Sequence, residues 1–532
     1  MADYDVVVRN GLIYDGSGGA PYRGDVAIVG DRIAAVGDAP GDGRVEIDVK
    51  GLAISPGFVN MLSWANVSLI HDGRSQSDIR QGVTLEVLGE NFSMGPLNPG
   101  MKVEMVERQG DIRYDIVWTT LGEYLEYLER QGVSCNVTSF VGSEGVRIHE
   151  LGFENRAPTA AELERMRGLV REAMAEGAVG LSSALIYAPA SYAQTDELIA
   201  LAEVVGEVDG LYISHIRSEG DAIFEALDEF FTICRAARVR GEIYHLKLAG
   251  KQNWDKLDRL IATIEAAQAA GLPVTADMYT YTASSTGLDA TLPGWVHEGG
   301  HKAMVARLKD ESLRPHLIEE ITRYKEVDAA EDTMLVGFKN PALKPLIGKS
   351  LAEVAAMRGK SPQETVMDLI VEDDSRVQAV FFSMSEENVR RQIALPWVAF
   401  DSDAGSYAAE GLFLRNSTHP RAYGTFARLL GRYVRDEGII PLAEAVRRLT
   451  SFPAANLKVE GRGRLAVGYF ADVVVFDPAT IQDHATYNDP HQYSTGVTHV
   501  FVNGVQALKD GEHTGATPGR VVRGPGWRGR AR

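Results

Sequence analysis

The chain has 532 residues, of which 45% are apolar and 24% charged, an ordinary composition for a globular protein. Its formal net charge of −19 at pH 7 argues against nonspecific binding to nucleic acids or anionic membranes, which requires basic patches. The N-terminus lacks a basic region followed by an apolar one, so we expect a cytoplasmic protein. Cys135 and Cys234 each lie in an apolar run, which favours two buried reduced thiols over a disulfide.

Short strands separated by turn residues begin and end the chain. Residues 4–54 combine β-branched alternation with Asn-Gly, Gly-Asp and Lys-Gly pairs, and residues 462–508 return to this pattern. We therefore predict one small, β-sandwich-like domain built from residues 1–54 and 462–520. We expect the Gly/Arg-rich tail, residues 517–532, to be loose.

Strand-like runs alternate with helical segments between these two ends. A capping box at Thr159 and Glu162 opens one of the helices. Eight such runs with helical returns predict an α/β fold, a (β/α)₈ TIM-like barrel over residues 55–461. The segment between Asp277 and Trp397 is too long for one return, so we predict an inserted subdomain at 290–395. The runs are residues 54–62, 83–90, 135–143, 178–187, 211–216, 242–248, 273–279 and 397–403.

Polar residues stand where several of the predicted strands end. They are Glu90 on the second strand, His215 on the fifth, His245 on the sixth, Asp277 on the seventh and Asp403 on the eighth. Catalytic groups of such barrels lie at the C-terminal strand ends, so two imidazoles and a carboxylate can converge on one metal ion. Asp403 can then accept a proton from metal-activated water. A histidine after a strand is also common in a satisfied core, and the spacing alone leaves that alternative open.

Short motifs follow one another over nearly the whole chain. They are "VVRNGLIYDGSG" with "SPGFVN", "ISHIRSEGD", "YHLKLAGKQNW", "TADMYTYTASST", "DSDAG" followed by "HPRAYGTFARLLGRYV", and "LTSFPAANL" with "VFVNG". Each is weak alone, but in this order they resemble the amidohydrolase superfamily, and specifically the D-aminoacylase (N-acyl-D-amino-acid deacylase) family.

The resemblance implies a metal site, with two departures from the family pattern. The family usually ends strand 1 in His-x-His, and this chain has Leu62 and Trp64 there. The family's tightly held zinc uses a strand-2 cysteine and the histidines of strands 5 and 6. We therefore expect one Zn²⁺ per chain on Glu90, His215 and His245, with the carboxylate of Glu90 in place of the cysteine.

Other assignments of the strand-2 position stay open at this point. Asn91 is the ligand if the loop is shifted by one residue. Alternatively, Glu90 only caps the loop or pairs with Arg80 or Arg217. Strand 3 ends in Ser143 and Glu144, where family members often carry a histidine, so no strand-3 role is carried over.

The resemblance also implies how the substrate is held. The family binds the α-carboxylate of its substrate with a lysine, a tyrosine and a serine, which match Lys247, Tyr279 and Ser285. Lys247 can instead form a structural ion pair. The remaining predicted substrate-binding residues are Arg421, as a further anion-binding group, and Trp64 and Leu62, as an apolar wall against a hydrophobic acyl or aryl group.

We interpret the chain as a metal-dependent amidohydrolase that cleaves N-acyl amino acids or related small amides, with Asp403 as general base and then general acid. D-configuration is implied by the family. One alternative is a catalytically inactive interaction protein, which the missing His-x-His favours and the retained His215, His245 and Asp403 disfavour. Another is a metal-dependent esterase, lactamase or deaminase on the same fold. The expected partner is a small amide bearing a carboxylate, without nucleic acid or membrane; homo-oligomerisation is left open.

Overall fold

The computed structural model describes residues 2–323 and 330–529. The strands are β1 (Tyr4–Ile13), β2 (Tyr22–Val29), β3 (Arg32–Gly37), β4 (Gly43–Asp48), β5 (Ala53–Pro56), β6 (Phe58–Asn60), β7 (Val83–Leu88), β8 (Asn136–Ser139), β9 (Val141–Gly142), β10 (Gly180–Ala184), β11 (Leu211–His215), β12 (Arg240–Ile243), β13 (Val274–Ala276), β14 (Ser284–Gly287), β15 (Thr333–Gly337), β16 (Gln378–Phe381), β17 (Val473–Phe476), β18 (Val497–Val502), β19 (Val505–Lys509) and β20 (Glu512–His513).

The helices lie mostly between the parallel strands and on the inserted segment. They are α1 (Ser68–His71), α2 (Gln76–Ile79), α3 (Pro99–Glu107), α4 (Leu121–Gln131), α5 (Ser143–Leu151), α6 (Ala160–Ala175), α7 (Thr195–Gly206), α8 (Ile223–Ala237), α9 (Leu257–Ala269), α10 (His301–Lys309), α11 (Arg314–Arg323), α12 (Leu351–Arg358), α13 (Pro362–Asp373), α14 (Glu386–Ile393), α15 (Arg421–Arg428), α16 (Leu442–Leu449) and α17 (Ser451–Asn456). The predicted capping box at Thr159 and Glu162 opens α6.

Both ends of the chain contribute to one sheet of nine strands. Its order is β20-β19-β18-β17-β5-β1-β2-β3, and β4 pairs with the other part of β1. The antiparallel pair β17–β5 joins the two ends, with Val473 opposite Pro56 and Phe476 opposite Ala53. All four residues of β17 are buried, as expected for a central strand rich in β-branched residues. Because β5 is followed almost directly by β6, the first barrel strand, this sheet determines where the chain enters the barrel.

Parallel strands form the barrel that carries the site. The sheet β6-β7-β8 continues through Phe140 into the sheet β9-β10-β11-β12-β13. The extended segment 397–404 lies between the two open edges. It pairs with β13 through Ala276 and Val398, and with the end of the first strand through Ser63 and Ala404. Backbone hydrogen bonds continue on both sides of this eighth segment, for example from Ala399 N–H to Ala276 at 2.7 Å and from Asp403 N–H to Leu62 at 3.0 Å, so it closes the ring where the strand at 397–403 is predicted.

The barrel interior is filled by apolar side chains. Val59, Met61 and Leu62 from the first strand meet Val87 and Phe140 in one buried cluster. Because both faces of a parallel sheet are covered, its strands read as nearly continuous apolar runs. This packing leaves the polar residues at the strand ends to line the cleft.

A three-stranded antiparallel sheet, in the order β14-β16-β15, stands between β13 and the eighth barrel segment. Helices α10 to α13 pack against it over a separate apolar core. Members of this core include Leu288, Leu308, Leu335, Val366 and Phe381. The segment forms one wall of the cleft above the barrel.

The expectation of a loose tail is wrong for residues 517–529. Val521 pairs with Val137 of the barrel, and the N–H of Gly519 donates to the carbonyl of Val133 at 2.7 Å. A Cβ at Gly519 would lie 2.0 Å from the carbonyl oxygen of Cys135. Glycine is required here for close backbone approach rather than for flexibility. Residues 530–532, also part of that expectation, lie outside the described residues.

Both cysteines, Cys135 and Cys234, are free and buried, as expected. Within the described parts of the chain, none of the helices is both long enough and apolar enough to span a bilayer.

Candidate metal centre

Three buried side chains converge at the C-terminal end of the barrel. Glu90 follows β7, His215 ends β11, and His245 lies two residues beyond β12. The carboxylate Oε1 of Glu90 lies 3.3 Å from Nδ1 of His215 and 3.3 Å from Nε2 of His245. All three ligand atoms lie within 4.8 Å of one another. Neighbouring parallel strands end at the same edge, which is how residues so distant in sequence meet.

These residues fit a zinc ion. Two imidazoles and a carboxylate form a known set of catalytic zinc ligands. Bonds of about 2.0–2.1 Å place the ligand atoms of a tetrahedral ion about 3.3–3.4 Å apart, which matches the spacing around Glu90. Burial raises the pKa of Glu90, but hydrogen bonding to His215 and His245 outweighs burial and lowers the pKa to about 2. Glu90 is therefore held as the carboxylate, its ligand form.

The backbone around the site adopts unusual conformations. His245 has φ 34°, Asp403 has φ 44° and Asn91 has φ 59°, all in the left-handed region. Such conformations cost about 1–3 kcal/mol when the residue is not glycine, and they persist where the surroundings enforce them. At His245, the carboxylate of Asp277 accepts the backbone N–H and holds it in place.

Glu219 faces the outer side of both imidazoles, and sequence reasoning missed it. Its Oε1 lies 3.0 Å from Nδ1 of His245, and its Oε2 lies 3.6 Å from Nε2 of His215. At His245, a carboxylate in this position accepts the second ring N–H and fixes the tautomer of a metal-binding histidine. The 3.6 Å to His215 is longer than a hydrogen bond, so Glu219 acts on that ring through its charge alone. The available signal was its place in "HIRSEGD", four residues after His215. Burial and Lys247 lower the pKa of His245, but Glu219 and Glu90 outweigh them and raise it to about 10. Metal binding there therefore releases a proton.

Asp403 is held by an ion pair and a hydrogen bond on the opposite side of the cleft. Its Oδ2 lies 2.7 Å from Nη1 of Arg421, and its Oδ1 accepts a hydrogen bond from Nε1 of Trp64 at 3.1 Å. Trp64 lies on the cleft wall with 40% of its surface exposed. Leu62 is fully buried in the barrel interior, so the expectation that it shapes the pocket is wrong.

The other predicted substrate-binding groups lie near the triad but already have partners. Nζ of Lys247 lies 2.6 Å from Glu219. The Ser285 hydroxyl donates to the carbonyl of Ala379 at 2.9 Å. The Tyr279 ring is fully buried, 4.4 Å from the guanidinium carbon of Arg421. Lys247, Ser285 and Arg421 line the cleft, whereas Tyr279 lies behind its wall.

The cleft has a volume of about 1,940 Å³ and contains further polar residues that the sequence did not single out. Arg376 pairs with Asp289 at 3.0 Å and stands 5.3 Å from the ring centre of Tyr187. Asn91 bonds to Glu144 and accepts the backbone N–H of Ala184. Its side chain is thus committed away from the triad, and Glu90 is the strand-2 residue that the structure places beside both histidines.

Comparison with known proteins agrees with this arrangement. Residues 146–507 match the model of the amidohydrolase family. D-aminoacylase of Alcaligenes xylosoxydans xylosoxydans is 34% identical over 98% of this chain and 97% of its own. The chain belongs to the amidohydrolase family, in its D-aminoacylase group.

Solved amidohydrolase structures of this group share the whole fold. One of them is a D-aminoacylase with a binuclear metal centre, in which one metal activates the enzyme and the second attenuates it. It superposes with a TM-score of 0.82 at 33% identity, over 98% of this chain and 100% of its own. The N-acyl-D-glutamate deacylase of Bordetella bronchiseptica, complexed with zinc and a phosphonate inhibitor, superposes with a TM-score of 0.83 at 29% identity. The match covers 98% of this chain and 99% of the deacylase. In the present amidohydrolase, one group of three potential metal ligands is found among the described residues, the Glu90–His215–His245 triad.

Proposed function

We propose that this amidohydrolase is a zinc-dependent deacylase of N-acyl amino acids, with one Zn²⁺ held by Glu90, His215 and His245. The observation that carries the proposal is the buried triad, in which Oε1 of Glu90 lies 3.3 Å from a ring nitrogen of each histidine and which opens onto the cleft that contains Asp403. The relatives named D-aminoacylase and N-acyl-D-glutamate deacylase support an amide as the substrate.

The chemistry is amide hydrolysis. When bound, the ion supplies a Lewis acid that polarises the amide carbonyl and lowers the pKa of water. Asp403 accepts a proton from the attacking water as the new C–O bond forms, and passes it to the nitrogen as the C–N bond breaks. The products are a carboxylic acid and a free amino acid. Arg421 and Trp64 orient the Asp403 carboxylate for both transfers.

We propose that Lys247 and Ser285 bind the α-carboxylate and that the substrate has the D-configuration, while Tyr279, buried behind the cleft wall, packs against Arg421 instead of contacting the substrate. Trp64 forms the wall against the acyl group. Arg421 acts on Asp403 instead of on the substrate, since its guanidinium is buried against that carboxylate.

We further propose that the chain divides as its sequence pattern indicates, into a small β domain of residues 1–54 and 462–520 and a barrel of 55–461 with an inserted subdomain at 290–395. Separate apolar clusters in the terminal sheet and in the insertion support this division.

The test is the metal content of the purified protein by plasma mass spectrometry, with His245→Ala as the variant. We expect about one zinc per chain in the wild type and loss of that zinc in the variant. His316→Ala, at an exposed histidine, serves as the control and keeps its zinc. A screen of N-acetyl amino acids in both configurations follows. A wild type that takes up no metal after zinc dialysis would overturn the proposal and favour an inactive interaction protein.

A further inference from the structure

The charges on the cleft wall are paired with one another. Among the described residues, every lysine and arginine on the wall has a carboxylate of the chain within 4.0 Å. The pairs nearest the triad are Lys247 with Glu219 at 2.6 Å, Arg421 with Asp403 at 2.7 Å, and Arg376 with Asp289 at 3.0 Å.

Acidic groups on the wall outnumber the basic ones. The described lining contains eleven aspartates and glutamates but seven lysines and arginines, so a bound divalent ion leaves an excess of negative charge. Glu144 adds to this excess close to the triad. It bonds to the Asn91 side chain, next to Glu90 in sequence. Burial raises the pKa of Glu144 to about 7, so its carboxylate adds negative charge as the pH rises through neutrality.

We infer, on the basis of the proposed deacylase function, that this enzyme takes N-acyl amino acids with neutral or basic side chains and rejects those with acidic side chains. The positive charge of the bound ion favours a single α-carboxylate, which Lys247 of the Lys247–Glu219 pair contacts from the cleft wall. A second carboxylate meets surplus acids without a second ion to offset them, and repulsion between like charges disfavours its binding.

We expect the ion pair of Arg376 and Asp289 to contribute most to the discrimination against acidic side chains. The guanidinium of Arg376 stands 5.3 Å from the centre of the Tyr187 ring, which in turn lies 5.3 Å from the His215 ring. Arg376 is thus the cation best placed to meet a side-chain carboxylate next to the triad, and Asp289 neutralises it. An asparagine at 289 exposes that positive charge to the substrate.

The first experiment compares kcat/KM of the zinc-loaded wild type for N-acetyl-D-methionine, N-acetyl-D-lysine and N-acetyl-D-glutamate. We expect both the methionine and the lysine derivatives to exceed the glutamate derivative by about tenfold or more. High ionic strength should narrow this gap, because salt screens charge repulsion. A wild type that prefers the glutamate derivative overturns the inference.

Two variants then test which acidic residues cause the discrimination against the glutamate derivative. Asp289→Asn should raise the glutamate-to-methionine ratio of kcat/KM about tenfold, and Glu144→Gln should raise it severalfold. Asp374→Asn is the matched control, because this aspartate also lines the cleft and pairs with Lys339, but is 66% exposed. Circular dichroism establishes folding, and Glu144→Gln keeps the test decisive if Asp289→Asn does not fold.

The outcomes separate the two proposals. No hydrolysis of any N-acyl amino acid overturns the proposed function and, with it, this inference. Hydrolysis with a ratio that moves in neither variant overturns the inference alone and leaves the deacylase in place.

Discussion

At the scale of single residues, Glu90 is the position on which the metal centre depends. Its Oε1 lies equally far from the two imidazole nitrogens, at 3.3 Å, and the hydrogen bonds from these rings outweigh the effect of burial on its pKa. Asn91, the neighbouring residue, is committed to Glu144. In the proposed site, the one carboxylate of Glu90 would supply both the third ligand and a negative charge that offsets part of the charge of the ion.

Replacing Glu90 by Gln should weaken zinc binding at least about 100-fold, because an amide oxygen is a poor zinc ligand and brings no charge. Competition with a chromophoric chelator measures this affinity. Glu219→Gln is the companion variant, and we expect a smaller loss, about 10–100-fold, since Glu219 only orients the ligands. Unchanged zinc affinity in Glu90→Gln would remove Glu90 from the ligand set.

Trp64 connects the first strand to the proposed base. Its indole N–H donates to Asp403, which also receives the guanidinium of Arg421. Trp64→Phe keeps an aromatic wall but removes the donor, so we expect kcat to fall about tenfold with a smaller change in KM. Steady-state kinetics with one N-acyl amino acid provide the measurement. A change confined to KM would mean that Trp64 contacts the substrate without acting on Asp403.

At the scale of elements, strand β7 carries a second acid on its outer face. Glu86 is fully buried, and neither carboxylate oxygen has a hydrogen-bond partner among the described residues. Asp78 of α2 lies nearby and accepts a hydrogen bond from Asn60 at 2.9 Å. Burial raises the pKa of Glu86 well above its ordinary value, and burial raises that of Asp78 to about 6.

These raised pKa values determine how stability changes with pH. An acid with a raised pKa in the folded state contributes stability that is fully present below its unfolded pKa and is lost as the pH rises through the folded value. Glu86→Gln removes this loss because the amide does not ionise. We therefore expect the Tm of Glu86→Gln to rise relative to the wild type between about pH 5 and pH 8.

Thermal unfolding at several pH values measures this difference. Glu207→Gln, at an exposed glutamate, is the control and should show no comparable trend. If the difference in Tm between Glu86→Gln and the wild type stays constant over this range, the burial of an ionisable group on β7 does not affect stability.

At the scale of the whole molecule, the sequence was sufficient to predict the parts of the fold and site that follow from a general rule of strand geometry. Parallel strands end at one edge, and this rule predicts that Glu90, His215 and His245 lie at the same end of the barrel. The resemblance to a known family singled out Glu90 as the third metal ligand. Alternating β and α segments likewise predicted the barrel, which the segment 397–404 closes through backbone hydrogen bonds to both neighbouring strands.

The rest depended on side-chain directions and loop paths that no local pattern encodes. Trp64 and Asp403 are 339 residues apart, and nothing in either segment indicates that the indole donates to the carboxylate. Glu219 reaches both histidines because its loop turns back after β11. The glycines of the tail looked like signs of flexibility, yet Gly519 permits tight docking against the barrel.

The C-terminal part of the chain is also connected to the barrel through a buried polar network. Asp472, just before β17, pairs with Arg462 and accepts the backbone N–H of Asn503 at 2.8 Å. The Asn503 side chain accepts from Arg462 at 2.8 Å and donates to Asn136 of the barrel strand β8 at 2.7 Å. Arg462 and Asp472 are both nearly buried, so neither charge can recover its hydration if the other is removed.

Asp472→Ala should therefore lower the free energy of unfolding by about 3–5 kcal/mol, the usual cost of leaving one charge of a buried pair without its partner. Denaturant unfolding followed by fluorescence measures it, with Asp510→Ala at an exposed aspartate as the control. The double variant Arg462→Met/Asp472→Leu should recover much of the loss, because it removes both buried charges together. A loss below about 1 kcal/mol in Asp472→Ala would mean that strand pairing alone holds the terminal sheet to the barrel.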